Sequence, residues 1–202
     1  MTDLNHHIRT YENFVSPEFC KSLIAKYEHV WNTEQDKISS LNICPGWCVQ
    51  CTCNRLDIMQ HEIFNQDVQY LARKFVEQVP VYAADTQSTS FLPEQYELET
   101  LKMKRFLPNS PHAIKEHVDV IDKDSARRYV ALMVYLNDDF DGGETEFTLS
   151  QLKVKPKQGM LIMFPPIWTL PHKANPVIGE NAKYWVGSYL CYMGYKEYSS
   201  KR

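Results

Sequence analysis

Glu116-His117-Val118-Asp119 sets an imidazole and a carboxylate two residues apart. On an extended segment, residues i and i+2 project from the same face, so this pair is a two-point clip for a metal ion. Alone it says little. Seven histidines in a chain of this size give roughly 0.4 His-x-Asp matches by chance, and a core or surface histidine is the commoner outcome. A later histidine changes the reading: His172, in Leu170-Pro171-His172-Lys173, makes a set of two imidazoles and one carboxylate. Three such ligands on one face of an octahedral iron(II) leave three adjacent positions open, two for a chelating oxo acid and one for dioxygen. Zinc accepts the same ligands. A zinc hydrolase, however, needs a general acid or base close by, and no His-Glu-x-x-His or comparable pattern is present.

The elements that must position these residues change character along the chain. Ser16-Pro17-Glu18 supplies an N-cap, a first-turn proline and an acidic residue, and Phe19, Leu23, Tyr27 and Val30 follow at helical spacing. A helix is predicted there, ending near Asn32. A second begins near Asn65, where Val68, Leu71, Ala72, Phe75, Val76 and Val79 form an apolar stripe that Pro80 is expected to terminate. From Tyr96 onward the segments become short, β-branched and aromatic, separated by Pro, Gly and Asp/Asn clusters. Strands are predicted over 96–106, 128–137, 160–164 and 183–193. The second of these is apolar on both faces, which predicts a central strand covered by another layer. Asp139-Phe-Asp-Gly-Gly143 and Lys155-Pro-Lys-Gln-Gly159 are turns. Short strands at this spacing without intervening helices suggest a double-sheet jelly roll. The expected class is α+β, mainly β: one domain over 1–202, with a mainly helical part over 1–92 and a jelly-roll core over 96–195.

Bulk properties narrow the function. With 202 residues, 44% hydrophobic and 23% charged, the chain is long enough to bury a core. A net charge of -3 and scattered Lys and Arg argue against a nucleic-acid partner. The first residues lack a basic start followed by an apolar run, and no stretch of 18 apolar residues occurs, so a cytoplasmic location without membrane association is expected. Cys44, Cys48, Cys51 and Cys53 crowd together in a way that suggests a zinc knuckle, but no second ligand pair accompanies them. Reduced cysteines around the Pro45-Gly46 turn are the plainer reading, and Cys20 and Cys191 are expected to be buried thiols.

Residues 96–193 resemble the catalytic domain of prolyl 4-hydroxylases and related 2-oxoglutarate- and Fe(II)-dependent oxygenases. The matches come in order: His117-x-Asp119, Arg127-Arg128, Val134-Tyr-Leu-Asn-Asp138, Gly142-Gly-Glu-Thr-Glu-Phe147, Val154-Lys-Pro-Lys-Gln-Gly159 leading to Phe164, then His172, Pro176-Val177 and Lys183. The resemblance implies a double-stranded β-helix, cupin-like, with N-terminal helices buttressing its outer sheet. It implies that His117, Asp119 and His172 hold Fe(II), that Lys183 pairs with the distal carboxylate of 2-oxoglutarate, and that the Tyr135 hydroxyl meets the same carboxylate. An ammonium and a phenol are what a carboxylate needs in a desolvated pocket. Tyr189 shares a strand face with Lys183 and is a candidate pocket residue.

The activity implied is oxidative decarboxylation of 2-oxoglutarate by dioxygen, yielding succinate and carbon dioxide and hydroxylating a C–H bond, with ascorbate expected as reductant. A peptidyl proline is the favoured substrate, so a protein or peptide partner is expected. Free amino acids or small metabolites are the alternative, and a non-catalytic binding module is a third reading. Trp47 or Trp168 could stack on a proline ring, and Arg127 or Arg128 could bond a peptide carbonyl. Two departures from the family pattern stand out. The spacing from His172 to Lys183 is one residue longer than usual, which predicts a bulge near Gly179-Glu180-Asn181. Phe106 stands where relatives often carry a tyrosine, so it is expected to offer packing only.

Overall fold

The computed structural model describes residues 4–34, 53–109 and 114–193. Its centre is a seven-stranded antiparallel sheet built from β1 (Arg9–Tyr11), β2 (Asn54–Asp57), β3 (Tyr96–Leu98), β4 (Lys102–Phe106), β5 (Arg128–Tyr135), β9 (Leu161–Phe164) and β12 (Lys183–Tyr192). The order is β1-β9-β5-β12-β4-β2, with β3 pairing on β12. A smaller wall faces it. β7 (Thr145–Phe147) lies between β10 (His172–Ala174) and β8 (Leu152–Val154), and β6 (Asp141–Gly142) pairs with β11 (Val177–Ile178). Two facing antiparallel layers make the double-stranded β-helix that the resemblance implied.

Alternation along the strands divides the interior in two. Val130, Leu132 and Val134 of β5, with Leu161, Met163, Val186 and Leu190, turn outward against two helices, α1 (Pro17–Thr33) and α2 (Asn65–Asp85). Leu23, Tyr27 and Val30 of α1 and Leu71, Phe75 and Tyr82 of α2 meet them. Ala131 and Tyr135 of β5, with Ile162 and Phe164, turn the other way, toward Phe147, Val154 and Leu170 of the smaller wall. The doubly apolar pattern of β5 is thus the signature of a strand covered on both sides.

Local signals hold at the first helix, where the Ser16 side chain accepts from the Phe19 amide and Pro17 occupies the first turn. They fail at the second. Pro80 does not terminate α2, which runs on to Asp85. The proline forfeits one backbone hydrogen bond, but Tyr82 and Ala83 beyond it are buried, and the Tyr82 hydroxyl donates to the His7 carbonyl at 2.8 Å. Packing outweighs the local cost. The predicted strand over 96–106 is two strands, interrupted where the Glu99 amide donates to the Tyr189 carbonyl at 2.9 Å. The part over 1–92 also contributes β1 and β2, each too short to show a two-residue period.

The extra residue before Lys183 is absorbed in the turn between β11 and β12 rather than in a ladder bulge. Gly179 there has φ +113° and is held by the Asn109 side chain. Of the four crowded cysteines, Cys53 is described and is buried, while Cys44, Cys48 and Cys51, with Trp47, lie outside the described residues. No helix among the described residues is long and apolar enough to cross a membrane.

Candidate active site

His117 and His172 are brought together by backbone, not only by side chains. Each donates its amide to the other's carbonyl at 2.9 Å, a single antiparallel bridge on the edge of β10 that β7 leaves open. Asp119 is anchored next to them by its own amide, which donates to the Pro166 carbonyl at 3.0 Å. The side chains converge as a result. His117 Nε2 lies 3.5 Å from Asp119 Oδ1, and His172 Nε2 lies 3.5 Å from Asp119 Oδ2. One ligand atom from each residue falls within 4.8 Å of the others.

The tautomers are set from behind. His117 Nδ1 meets the Lys115 carbonyl at 2.8 Å and His172 Nδ1 meets the Leu170 carbonyl at 3.1 Å. A carbonyl only accepts, so each Nδ1 donates its N–H and leaves Nε2 as the ring atom turned toward the Asp119 carboxylate. Burial would raise the Asp119 carboxyl, but the His117 hydrogen bond and the charges of His172, His117 and Lys104 outweigh it and hold the group at about 2. Burial lowers His172, with Asp119 opposing it. A carboxylate and two imidazole Nε2 atoms on one face are a donor set that a divalent iron accepts.

Lys183 sits deeper. It is 1% exposed, and its ammonium lies between two aromatic rings, 5.1 Å from the centroid of Tyr135 and 5.4 Å from that of Phe106. Its hydrogen bond goes to the Gly143 carbonyl at 2.5 Å. Burial pushes the amine down to about 7, only partly countered by Glu144. Gly143, at φ +66°, makes this cradle possible, since a Cβ there would fall 2.8 Å from the Phe140 ring and 3.3 Å from the Lys183 side chain. A buried ammonium held by a carbonyl and two rings is a site that an anion would complete. Lys183, Thr145 and the converging side chains of His117, Asp119 and His172 all line one cavity of about 150 Å³.

Residues 102–191 match the profile of the 2OG-Fe(II) oxygenase superfamily. Over those residues this chain is similar to the 2OG-Fe(II) oxygenases. Three solved structures share the fold over nearly the whole chain. A viral collagen prolyl hydroxylase from Paramecium bursaria Chlorella virus-1, in complex with 2OG, is 20% identical with TM-score 0.63, covering 93% of this chain and 97% of its own. A Pseudomonas putida prolyl-4-hydroxylase is 19% identical with TM-score 0.65 and 94% coverage of each. A Trichoplax adhaerens prolyl hydroxylase in complex with a hypoxia inducible factor peptide is 14% identical with TM-score 0.67, covering 92% and 84%. No curated protein sequence matches the chain.

The remaining candidates fall in distinct places. The Tyr135 hydroxyl shares a 2.7 Å hydrogen bond with Thr145 Oγ1, and burial keeps the phenol protonated. Tyr189 lines the cavity six residues along β12 from Lys183, roughly 20 Å at about 3.3 Å per residue. It therefore belongs to the metal end: burial and the neighbouring Asp119 carboxylate keep its phenol protonated, and the Arg128 guanidinium lies 4.4 Å over its ring. Arg127 turns to the surface and pairs with Glu97 at 3.0 Å, whereas Arg128 lines the cavity. Trp168 is 77% exposed. Phe106 does more than pack, because its ring faces the Lys183 ammonium.

Sequence reasoning missed Thr145, Arg55, Lys102 and Lys104, which also line the cavity. The signal available was the alternation of Lys102 and Lys104 with buried Met103 on one strand, which puts both cations, with Phe106, on the inner face.

Proposed function

We propose that this oxygenase hydroxylates a peptidyl proline, consuming 2-oxoglutarate and dioxygen and releasing succinate and carbon dioxide. The observation that carries the cofactor assignment is the Lys183 ammonium, fully buried and sharing a cavity with the ligand set. His117, Asp119 and His172 would hold the iron, which when bound supplies dioxygen chemistry that no protein side chain offers. Lys183 binds the distal carboxylate of the oxo acid, and the Gly143 carbonyl keeps its ammonium aimed. The Tyr135 hydroxyl, with Thr145 as its partner, gives that carboxylate a second donor. Tyr189 and Arg128 flank Asp119 at the other end, where they orient substrate and limit water. The chain's task is to hold the reacting carbon close and exclude alternatives.

A protein or peptide substrate is supported by fold-sharing prolyl hydroxylases, one of them solved with a peptide in place. Ascorbate is assigned as the reductant that restores iron after unproductive turnover.

The test has two stages. Anaerobic titration of the metal-free protein with Fe(II) and then 2-oxoglutarate should give the weak visible band of a chelated oxo acid, absent in His172→Ala. Proline-containing peptides should then stimulate succinate release and gain one oxygen atom by mass spectrometry. Failure of the band in folded, metal-binding protein refutes the assignment at its root. A normal band with no proline peptide hydroxylated would move the substrate to free amino acids or metabolites.

A further inference from the structure

The cavity carries more positive charge than its cofactors use. Iron(II), the Asp119 carboxylate, the 2-oxoglutarate dianion and the Lys183 ammonium together are neutral. Beyond them Arg55, Lys102, Lys104 and Arg128 line the same cavity. A single carboxylate touches this group. Glu99 accepts from Arg128 Nε at 2.6 Å and Nη2 at 2.7 Å, and the same carboxylate meets Lys102 Nζ at 3.2 Å. The neighbouring acid Asp57 is occupied in capping the Met59 amide. Lys173, at the opposite wall, has Glu146 at 3.3 Å.

Arg55 and Lys104 have no acidic partner among the described residues. They are register partners on β2 and β4, and Lys104 is in turn opposite Trp185 of β12. The three form one row across the sheet on its inner face. The Lys104 ammonium lies 4.9 Å over the Trp185 ring, and its charge is felt at Asp119 and His172. Arg55 Nε is buried with no hydrogen-bond partner among the described residues. An arginine donor left unsatisfied in a cavity wall costs free energy that a ligand's acceptor recovers.

We propose that the substrate is an acidic peptide, whose Asp or Glu side chain close to the hydroxylated residue is received by Arg55 and Lys104. This rests on the peptide reading above and deepens it. Peptide carboxylates fit better than nucleic-acid phosphates, because the excess cations are confined to the cavity while the chain as a whole carries -3.

The test uses full-length protein loaded with Fe(II) and 2-oxoglutarate under argon, and labelled peptides identical except for Glu, Gln or Lys beside the target proline. Fluorescence anisotropy should show the Glu peptide binding on the order of tenfold tighter than the Gln peptide, and the Lys peptide weakest. That preference should shrink as salt rises. In an Arg55→Gln/Lys104→Gln double variant the Glu-to-Gln ratio should collapse toward one. Equal affinities across the series, or a ratio unchanged in the double variant, overturn the proposal. The salt series on the unmodified protein keeps it testable should the variant fold poorly. Competition by N-acetylglutamate at peptide-like concentrations would assign the carboxylate to a small molecule, and tighter competition by a single-stranded oligonucleotide would assign the cations to phosphates; either result overturns an acidic peptide. A parallel series with Ala in place of proline separates the two readings. Charge preference that persists without proline supports the acidic site even if no proline is hydroxylated, and hydroxylation indifferent to charge leaves the prolyl reading intact and removes this one.

Discussion

Val130, Leu132 and Val134 of β5 face the helices, while Ala131 and Tyr135, alternating with them, face the smaller wall. β12 does the same, sending Val186 and Leu190 outward and Lys183, Trp185 and Tyr189 inward. The outer face meets hydrocarbon from α1 and α2 and is held by area removed from water. The inner face supplies the Lys183 ammonium and looks onto a cavity that the 117–119 segment and β10 also line with a carboxylate and two imidazoles, each of which burial alone would disfavour in its charged form. One set of strands thus spends half its residues on stability and the other half on a site that costs stability. That division can be broken deliberately from either side.

The largest effect should come from the cavity side. His172→Ala would remove one of the proposed metal ligands, and losses at groups merely supporting a ligand already reach about 10–100-fold, so succinate formation should fall by on the order of a thousandfold or more. Because His172 is buried among Phe147 and Phe164, the truncation also leaves a cavity and should lower the melting temperature of the metal-free protein, so activity is compared at a temperature where the variant stays folded. The reciprocal experiment is Leu71→Ala on α2, a fully buried outer-face side chain. A loss of about 2–5 kcal/mol in denaturant unfolding is expected, with the KM for 2-oxoglutarate unchanged at a temperature where the protein stays folded. A shifted KM would show that the two faces are coupled through the sheet.

Lys183→Met sharpens the comparison, because it moves both quantities in opposite directions. Removing one member of a buried charge pair costs roughly 2–5 kcal/mol of binding, so the KM for 2-oxoglutarate should rise about a hundredfold or more. Without the oxo acid the same change replaces an ammonium that has only a carbonyl and two rings for company with an apolar chain of similar length. The melting temperature of the cofactor-free protein should therefore rise. A fall would mean that Gly143 and the rings already satisfy the charge.

How far the sequence disclosed this arrangement depends on whether a feature is local. The α1 cap and first-turn proline, the two-sided β5 and the His117-x-Asp119 clip are each written within a few residues, and each could be read directly. The continuation of α2 past Pro80 could not be, because it depends on Tyr82 reaching the His7 carbonyl across the fold. The pairing of His117 with His172 is a backbone bridge between distant segments, invisible to spacing and accessible only through the family resemblance. Arg127 and Arg128 show the limit most clearly: they are adjacent, alike in type, and opposite in fate. Arg127 closes the short turn before β5 and reaches Glu97 at the surface, whereas Arg128 opens the strand and reaches Glu99 inside. Alternation counted back from Val130, Leu132 and Val134 would put Arg128 on the outer face, but a register shift between Leu190 and Cys191 on the paired strand breaks the alternation there.

The finest effect that separates the faces is a proton. Lys183 is held at about 7 by burial when no oxo acid is present. A carboxylate placed against the ammonium raises that value, so the bound state keeps its proton to higher pH than the free state does. Below about pH 6 the lysine is charged in both states, and binding of 2-oxoglutarate to the iron-loaded protein should take up no proton at this group. As pH rises between the two values, the free state loses its proton first, so binding takes up as much as one proton and the dissociation constant climbs by up to about tenfold per pH unit. Asp119, held at about 2, contributes nothing in that window. Calorimetry at about pH 8 in two buffers of different ionisation enthalpy measures the uptake directly, and Lys183→Met should abolish it. Uptake that persists in that variant would place the titrating group elsewhere and leave Lys183 as a structural residue of the inner face, no different in kind from those turned toward the helices.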